Sequence, residues 1–339
     1  MEKMKRKMFV LGIDGMPCSL MKSSYIKKVM PYFSNLCEEN GLKKMNSVYP
    51  VVSSVAWTTF STGMNPGEHG IFGFVDRNPD PFEIKIPTTI DRKKKPIWSQ
   101  LSPEKKKVVI NVPLTYPPEP LNGYMVSCFL CPSISKLTYP TNFYKYLLDI
   151  GYVIDVDANI AKENRVEFIR QLIKIMDKRF ILAFDMLSSD WDYFQLHIME
   201  TDRLMHFCFE YLQRDKGDVI SKLVQMFFEK LDKWIEKLVN LIQEKSSIII
   251  LSDHGFCKIK SEVQLNVWLE QKNLLILNSN RKIEDYDSKS ICYSLSPGRI
   301  YLNLEGREER GSVKYSEYNY WRKIIKENLL QLNCSIVNI

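Results

Sequence analysis

The sequence predicts an α/β protein whose mostly parallel sheet is sandwiched by helices, with an irregular inserted cover. Three observations carry this. Four apolar, β-branched runs each end on a polar residue at or just past their carboxyl end. Runs such as "SIIIL" are continuously apolar, which suits strands buried on both faces of a parallel sheet. Stretches with helical periodicity lie between the runs.

In chain order, "KMFVLGID" reads as a first strand ending on Asp14. A short helix is expected over about residues 54–62, "SVAWTTFST", with Ser53 or Ser54 as its N-cap. Residues 76–150 are rich in proline and read as loops and short strands that cover something, interrupted by the strand "KKVVINVP" with Asn111. A helix follows over 163–177, then the strand "DYFQLHIMETD", ending on Asp202. Over 217–243, Ile220, Leu223, Val224, Phe227, Leu231, Trp234, Leu238 and Ile242 form one apolar stripe opposite Lys and Glu, as in a core-facing helix. The strand "SSIIILSDHG" brings in Asp253 and His254, and a last helix spans 316–331. With no internal repeat, low-complexity tract or clear linker, the chain reads as one domain over 1–339.

Composition excludes several classes. A chain of 339 residues with 45% hydrophobic and 26% charged residues has the balance of a soluble globular protein. The formal charge of +7 sits in short runs such as Lys93–Lys95 and Lys105–Lys107, not on one helical stripe, and no nucleic-acid-binding motif is present. The apolar run after the basic start is too short for a signal peptide and no stretch has the length of a membrane span, so a cytoplasmic protein is expected. The eight cysteines are scattered, which favours reduced thiols. Cys128 and Cys131 form one CxxC with no second pair nearby.

In an open parallel sheet, ligands bind beyond the carboxyl ends of the strands. Asp14, Asp202 and Asp253 all fall there. Three carboxylates at one edge repel each other unless a cation sits among them, so a metal is the economical explanation. His254 directly follows Asp253, and His206 lies four residues after Asp202, on the same face if that segment is helical. Mixed Asp and His ligation suits zinc or manganese. Taken singly, an Asp at a strand end is also an ordinary helix cap. Ser53 and Ser54 stand where a cap and a nucleophile are compatible roles, because helix N–H groups attract phosphate and a nearby cation stabilises an alkoxide.

The blocks "GIDGM" (12–16), "SSVAWTTFSTGMNPGEHGIFGF" (53–74), "INVPLTYPPEPLNG" (110–123), "ETDRLMHF" (200–207), "SDHGF" (252–256), "VQLNVWLE" (263–270) and "GRIYLNLEGREERG" (298–311) together resemble the alkaline phosphatase superfamily. The branch is that of type I phosphodiesterases and nucleotide pyrophosphatases. The resemblance implies two divalent metals, zinc or manganese. One is held by Asp14, Asp253, His254 and the nucleophile oxygen; the other by Asp202, His206 and a further histidine downstream. It implies Ser53 as nucleophile, ten residues before Gly63, with Ser54 offering its backbone N–H to the phosphate. The expected partner is a small phosphorylated substrate.

The pattern departs from the family in two places. The four histidines are His69, His197, His206 and His254, so none follows residue 254 and the chain reads as C-terminally incomplete. Cys208 and Cys257 flank the metal motifs as substitute ligands or plain thiols. Where nucleotide pyrophosphatases carry an Asn to hold a phosphate oxygen, this chain has Phe74. Asn111 either takes that part or stabilises the turn before Pro113. The function expected is a metal-dependent phosphohydrolase that cleaves phosphodiester or pyrophosphate bonds through a phosphoseryl intermediate on Ser53. The alternatives are a catalytically impaired metal- and phosphate-binding remnant, or a phosphomutase with Arg299, Arg307 and Arg310 in a basic pocket.

Overall fold

The run KMFVLGI forms β1 (Lys7–Ile13), which lies inside a six-stranded sheet with a parallel neighbour on each side. The structure, a computed structural model, describes residues 7–212 and 217–332. The further strands are β2 (Asp76–Pro79), β3 (Phe82–Lys85), β4 (Lys107–Ile110), β5 (Gly123–Val126), β6 (Thr138–Tyr139), β7 (Tyr193–Ile198), β8 (Ser246–Leu251), β9 (Cys292–Ser296) and β10 (Arg299–Leu302). The sheet runs β6-β5-β4-β7-β1-β8 and is parallel except for the antiparallel β5–β6 pair. The mostly parallel α/β architecture read from the sequence is therefore present, and all four apolar runs are strands of it.

Alternation explains why β1 and β4 are spelled as unbroken apolar runs. Successive side chains point to opposite faces. Phe9, Leu11 and Ile13 of β1, Val108 and Ile110 of β4, and Phe194, Leu196 and Ile198 of β7 enter one core. Val10, Val109 and Tyr193 enter a second core on the other face, with Trp57. Helices Arg165–Leu187 and Val219–Ile242 close the first face, and helix Ser53–Thr62 packs on the second. In β1 and β4 two apolar faces leave no room for the polar alternation of a one-sided strand, whereas β8, the "SIIIL" strand expected to be buried on both faces, lies at the sheet edge and is only partly buried, with Ile249 41% exposed.

The expected helix over 163–177 runs on to Leu187. Charged residues near that expected end are satisfied within the fold: Asp177 accepts from Trp234 Nε1 at 2.8 Å, and Arg179 Nε donates to Glu200 at 3.1 Å. The later helices fall at Val219–Ile242 and Tyr318–Leu330, close to the stretches read from periodicity.

The chain divides into two compact units, one within Met1–Ile71 and Thr88–Lys258, the other within Phe72–Pro87 and Ile259–Ile339. The proline-rich stretch 76–150 is shared between them. Its start, with the β2–β3 hairpin, belongs to the second unit, and its remainder supplies β4, β5 and β6 to the first. The second unit pairs β9 with β10 and has its own core around Trp268, Leu269, Tyr286, Tyr293, Leu302 and Val313. Within it, Arg77 bridges Tyr293 Oη at 2.7 Å and Glu308 at 2.6 Å. Among the described residues, no helix is long and apolar enough to cross a membrane, and seven cysteines are free thiols; Cys334 lies outside the described residues.

Candidate metal and phosphate site

Because β1, β7 and β8 are parallel neighbours, their carboxyl ends fall on one edge of the sheet. Asp14 directly follows β1, Asp202 lies in the first turn of helix Glu200–Cys208 after β7, and Asp253 lies just past β8. Cross-links fix the three ends to each other. Thr201 Oγ1 donates to the Asp14 carbonyl at 2.7 Å, Gly15 N to Asp253 Oδ1 at 3.1 Å, and Met16 N to Ser252 Oγ at 2.9 Å. Gly15 has φ +69°, and a Cβ there would lie 3.2 Å from Asp202 Oδ1, so the turn after β1 favours glycine twice over.

The serines differ from the cap expected of them. Helix Ser53–Thr62 begins one residue earlier than the pattern suggested, Val52 is its N-cap, and no side chain caps it. Ser53 Oγ is drawn away to tertiary partners: it donates to Asp14 Oδ1 at 3.1 Å and lies 3.0 Å from His254 Nε2. Ser54 is fully buried, and its Oγ has no hydrogen-bond partner. The first-turn N–H groups thus have no side chain competing for them.

Asp14, Asp253 and His254 each offer an atom within 4.8 Å of the others, the one such trio of His, Cys, Asp or Glu among the described residues. His254 Nε2 lies 3.4 Å from Asp14 Oδ1 and 3.4 Å from Asp253 Oδ2. Its Nδ1 can only donate to the Gly255 carbonyl, at 2.9 Å, which aims Nε2 at the cluster. Burial, reinforced by the Asp202 charge, raises the Asp14 carboxyl to about 7; burial and then Asp14 raise Asp253 to about 7. The His254 imidazole is raised, because the charges of Asp253 and Asp14 outweigh its burial. Asp253 Oδ2 is buried without a hydrogen-bond partner. Two buried carboxylates, an orphaned oxygen and an aimed imidazole nitrogen suit a divalent cation, which would relieve all of these strained ionisations.

Asp202 and His206 stand beside this trio. Asp202 Oδ1 is 4.0 Å from His254 Nε2, and His206 Nε2 is 3.4 Å from Asp202 Oδ2, the i,i+4 pairing expected on one helix face. The His206 ring rests edge-on against Phe256 at 5.0 Å, and its side chain is 54% exposed. Cys208 lies outside the trio, and burial pushes its thiol up to about 12, so it remains a neutral core group. Asn111 donates its amide to the His197 carbonyl at 3.3 Å. His69, fully buried, bonds Thr59 Oγ1 and accepts from Ile71 N.

Two contributors escaped the sequence reading. Trp57 Nε1 donates to Asp14 Oδ2 at 2.9 Å, and His197 Nε2 meets the same oxygen at 2.8 Å. Trp57 was not singled out in the sequence, and His197 was named there only as one of the four histidines. The available signal was a histidine and a glutamine, at 197 and 195, inside a strand whose every residue is buried.

In fold, the chain is similar to phosphonoacetate hydrolase from Sinorhizobium meliloti in complex with phosphonoformate (TM-score 0.57, 15% identity, covering 82% of this chain and 65% of that one). The complex of that hydrolase with phosphonoacetate matches at TM-score 0.56 and 16% identity, covering 79% and 62%. An inactive murine ectonucleotide pyrophosphatase/phosphodiesterase 5 in complex with AMP matches at TM-score 0.47 and 16% identity, covering 80% and 63%. The chain thus spans less than two thirds of the length of these structures. No curated protein matches it in sequence. Residues 8–336 match the type I phosphodiesterase / nucleotide pyrophosphatase family, and the chain belongs to that family, within the alkaline phosphatase superfamily.

Proposed function

We propose that the protein is a metal-dependent phosphohydrolase that cleaves phosphodiester or pyrophosphate bonds with Ser53 as nucleophile. The observation that carries this reading is the position of Ser53 Oγ, at the head of a helix and within 3.1 Å of Asp14 Oδ1 and 3.0 Å of His254 Nε2. Asp14, Asp253 and His254 hold one divalent ion, zinc or manganese, and Asp202 and His206 contribute to a second. When bound, such ions supply Lewis acidity that favours the ionised hydroxyl and offsets the charge of the phosphoryl group.

The chain's own groups do the rest. The Ser53 hydroxyl proton faces Asp14 Oδ1, and its loss leaves Oγ free to attack phosphorus in line. The Oγ–P bond forms as the bond from phosphorus to the leaving oxygen breaks, and the leaving oxygen takes up the proton that Oγ gave up. Water then cleaves the phosphoseryl ester, its oxygen bonding to phosphorus and one of its protons passing to Oγ, which releases phosphate or a phosphomonoester. First-turn N–H groups at Ser53 and Ser54 are placed to receive non-bridging oxygens. The test is hydrolysis of an aryl phosphodiester by purified protein with zinc or manganese. Ser53→Ala with wild-type activity overturns the assignment.

A second reading, a metal- and phosphate-binding remnant, is favoured by one observation: among the described residues, Asp14, Asp253 and His254 form a group of three able to hold an ion, whereas Asp202 and His206 join no such group. Ion content separates the readings: two ions per chain support the hydrolase and one supports the remnant. The mutase reading needs a basic pocket, and the three arginines it names make bonds within their own unit, although Arg299 Nη1 has no hydrogen-bond partner. Arg299 binds Ser296 Oγ and the Val75 carbonyl, Arg307 binds Glu308 and the Leu302 carbonyl, and Arg310 binds the carbonyls of Glu284 and Tyr286.

A further inference from the structure

Asp14 divides its two oxygens between different tasks. Oδ2 receives both buried ring N–H groups, Trp57 Nε1 at 2.9 Å and His197 Nε2 at 2.8 Å. Oδ1 faces the site, with Ser53 Oγ at 3.1 Å and His254 Nε2 at 3.4 Å. Asp14, Trp57 and His197 are all fully buried, so no water competes for these bonds. We propose that His197 and Trp57 are positioning residues that pin Oδ2 of Asp14 and so reserve Oδ1 for Ser53 and a divalent ion.

The physical argument is rotational. A carboxylate alone in a cavity turns about its Cβ–Cγ bond and exchanges its oxygens, or offers both to one cation. Two donors that arrive from separate elements, a helix and a strand, close off both motions, because turning the group breaks two buried hydrogen bonds at once.

The donors themselves are held. The Trp57 and His197 rings meet edge to face at 4.7 Å and 84°. In the sheet, His197 of β7 lies directly opposite Gly12 of β1. A Cβ on Gly12 would stand 2.4 Å from Trp57 Cη2 and 3.0 Å from His197 Cδ2, so only glycine leaves space for both rings. On the far side, the Asn111 amide holds the His197 carbonyl at 3.3 Å. Gly12, Trp57, His197 and Asn111 thus form one support behind Asp14.

This inference rests on the metal-binding reading above, and its test separates the two. The purified full chain is titrated with manganese(II) by calorimetry, as wild type and as Trp57→Phe, His197→Leu and His197→Gln. Unfolding is followed in chelator for each. Trp57→Phe and His197→Leu are expected to weaken manganese affinity about 10- to 100-fold, the range for supporting partners of metal ligands. His197→Gln, which keeps an N–H able to reach Oδ2, restores most of the loss; Trp57→Phe also lowers the metal-free melting temperature, as a smaller side chain in the core does, so affinity is the deciding readout. A merely structural role predicts the lower melting temperature with unchanged affinity. If His197→Leu fails to fold, Trp57→Phe and His197→Gln decide. Wild-type affinity in Trp57→Phe overturns the positioning role alone, whereas a wild type that takes up no manganese overturns the metal reading with it.

Discussion

Ser53 Oγ stands 3.0 Å from His254 Nε2, although 201 residues of chain separate them. The contact exists because β1 and β8 are adjacent parallel strands and helix Ser53–Thr62 packs on one face of the same sheet. Ser53→Ala removes the only oxygen of that helix start aimed at the trio and is expected to lower aryl phosphodiester hydrolysis by about 10³-fold or more, as for loss of a covalent nucleophile. Ser54→Ala, whose hydroxyl has no partner, retains most of the activity. Steady-state rates check both, and acid-quenched digests analysed for phosphate on Ser53 check the intermediate.

The ionisation of the trio predicts an unusual pH dependence for the metal-free protein. Asp14 and Asp253 rise from 3.8 to about 7 on folding, so between those values the folded chain holds more protons than the unfolded one. Their stabilising contribution is fully present below about 4 and is lost as pH rises through 7. His69 and His197, both lowered to about 4 by burial, work the other way between 6.5 and 4, which leaves the effect of the acids clearest above 6.5. In chelator, the melting temperature is expected to fall from pH 6.5 to pH 8, less so in Asp253→Asn. Saturating divalent ion should abolish the fall. A melting temperature that rises over this interval in chelator contradicts the ionisation described here.

Gly12→Ala tests the crowding behind Asp14. Its Cβ would enter within 2.4 Å of the fully buried Trp57 ring. Overpacking of this kind costs about 1–3 kcal/mol, readable as a lower urea midpoint with an unchanged slope. An unchanged midpoint would show that the rings are free to move.

Arg179 and Glu200 form a buried ion pair, with side chains 1% and 3% exposed, two residues ahead of Asp202. Arg179 also donates to the carbonyls of Val153 and Ile154. Arg179→Met strands the Glu200 charge and is expected to cost about 3–5 kcal/mol in urea unfolding. Adding Glu200→Gln should recover part of that loss, since the stranded charge is then gone.

Much of this arrangement was legible in the order of residues. The apolar runs of β1 and β4 could be read because burial on both faces requires an unbroken apolar spelling; β7 holds Gln195 and His197 within its run, and β8, at the sheet edge, is only partly buried despite its spelling. The polar residues at their ends could be read because parallel strands bring carboxyl ends to one edge. Asp14, Asp253 and His254 meet there as expected. The helix over 165–187 was read too short at its end; Asp177 and Arg179 find their partners, Trp234 and Glu200, on other elements, which its local spelling does not show.

By itself, then, the sequence determined the α/β class and the candidate ligands, which follow from local spelling and from spacings along the chain, and the family, which follows from its match over residues 8–336. Only the tertiary structure decided that Ser53 points at Asp14 and His254 instead of capping its helix, that Arg299, Arg307 and Arg310 make hydrogen bonds inside their own unit, and that Trp57 and His197 share one oxygen of Asp14. The reason is physical: a hydrogen bond is a relation between atoms within about 3 Å, and residues tens to hundreds of positions apart acquire that relation only when the sheet has set its strand order.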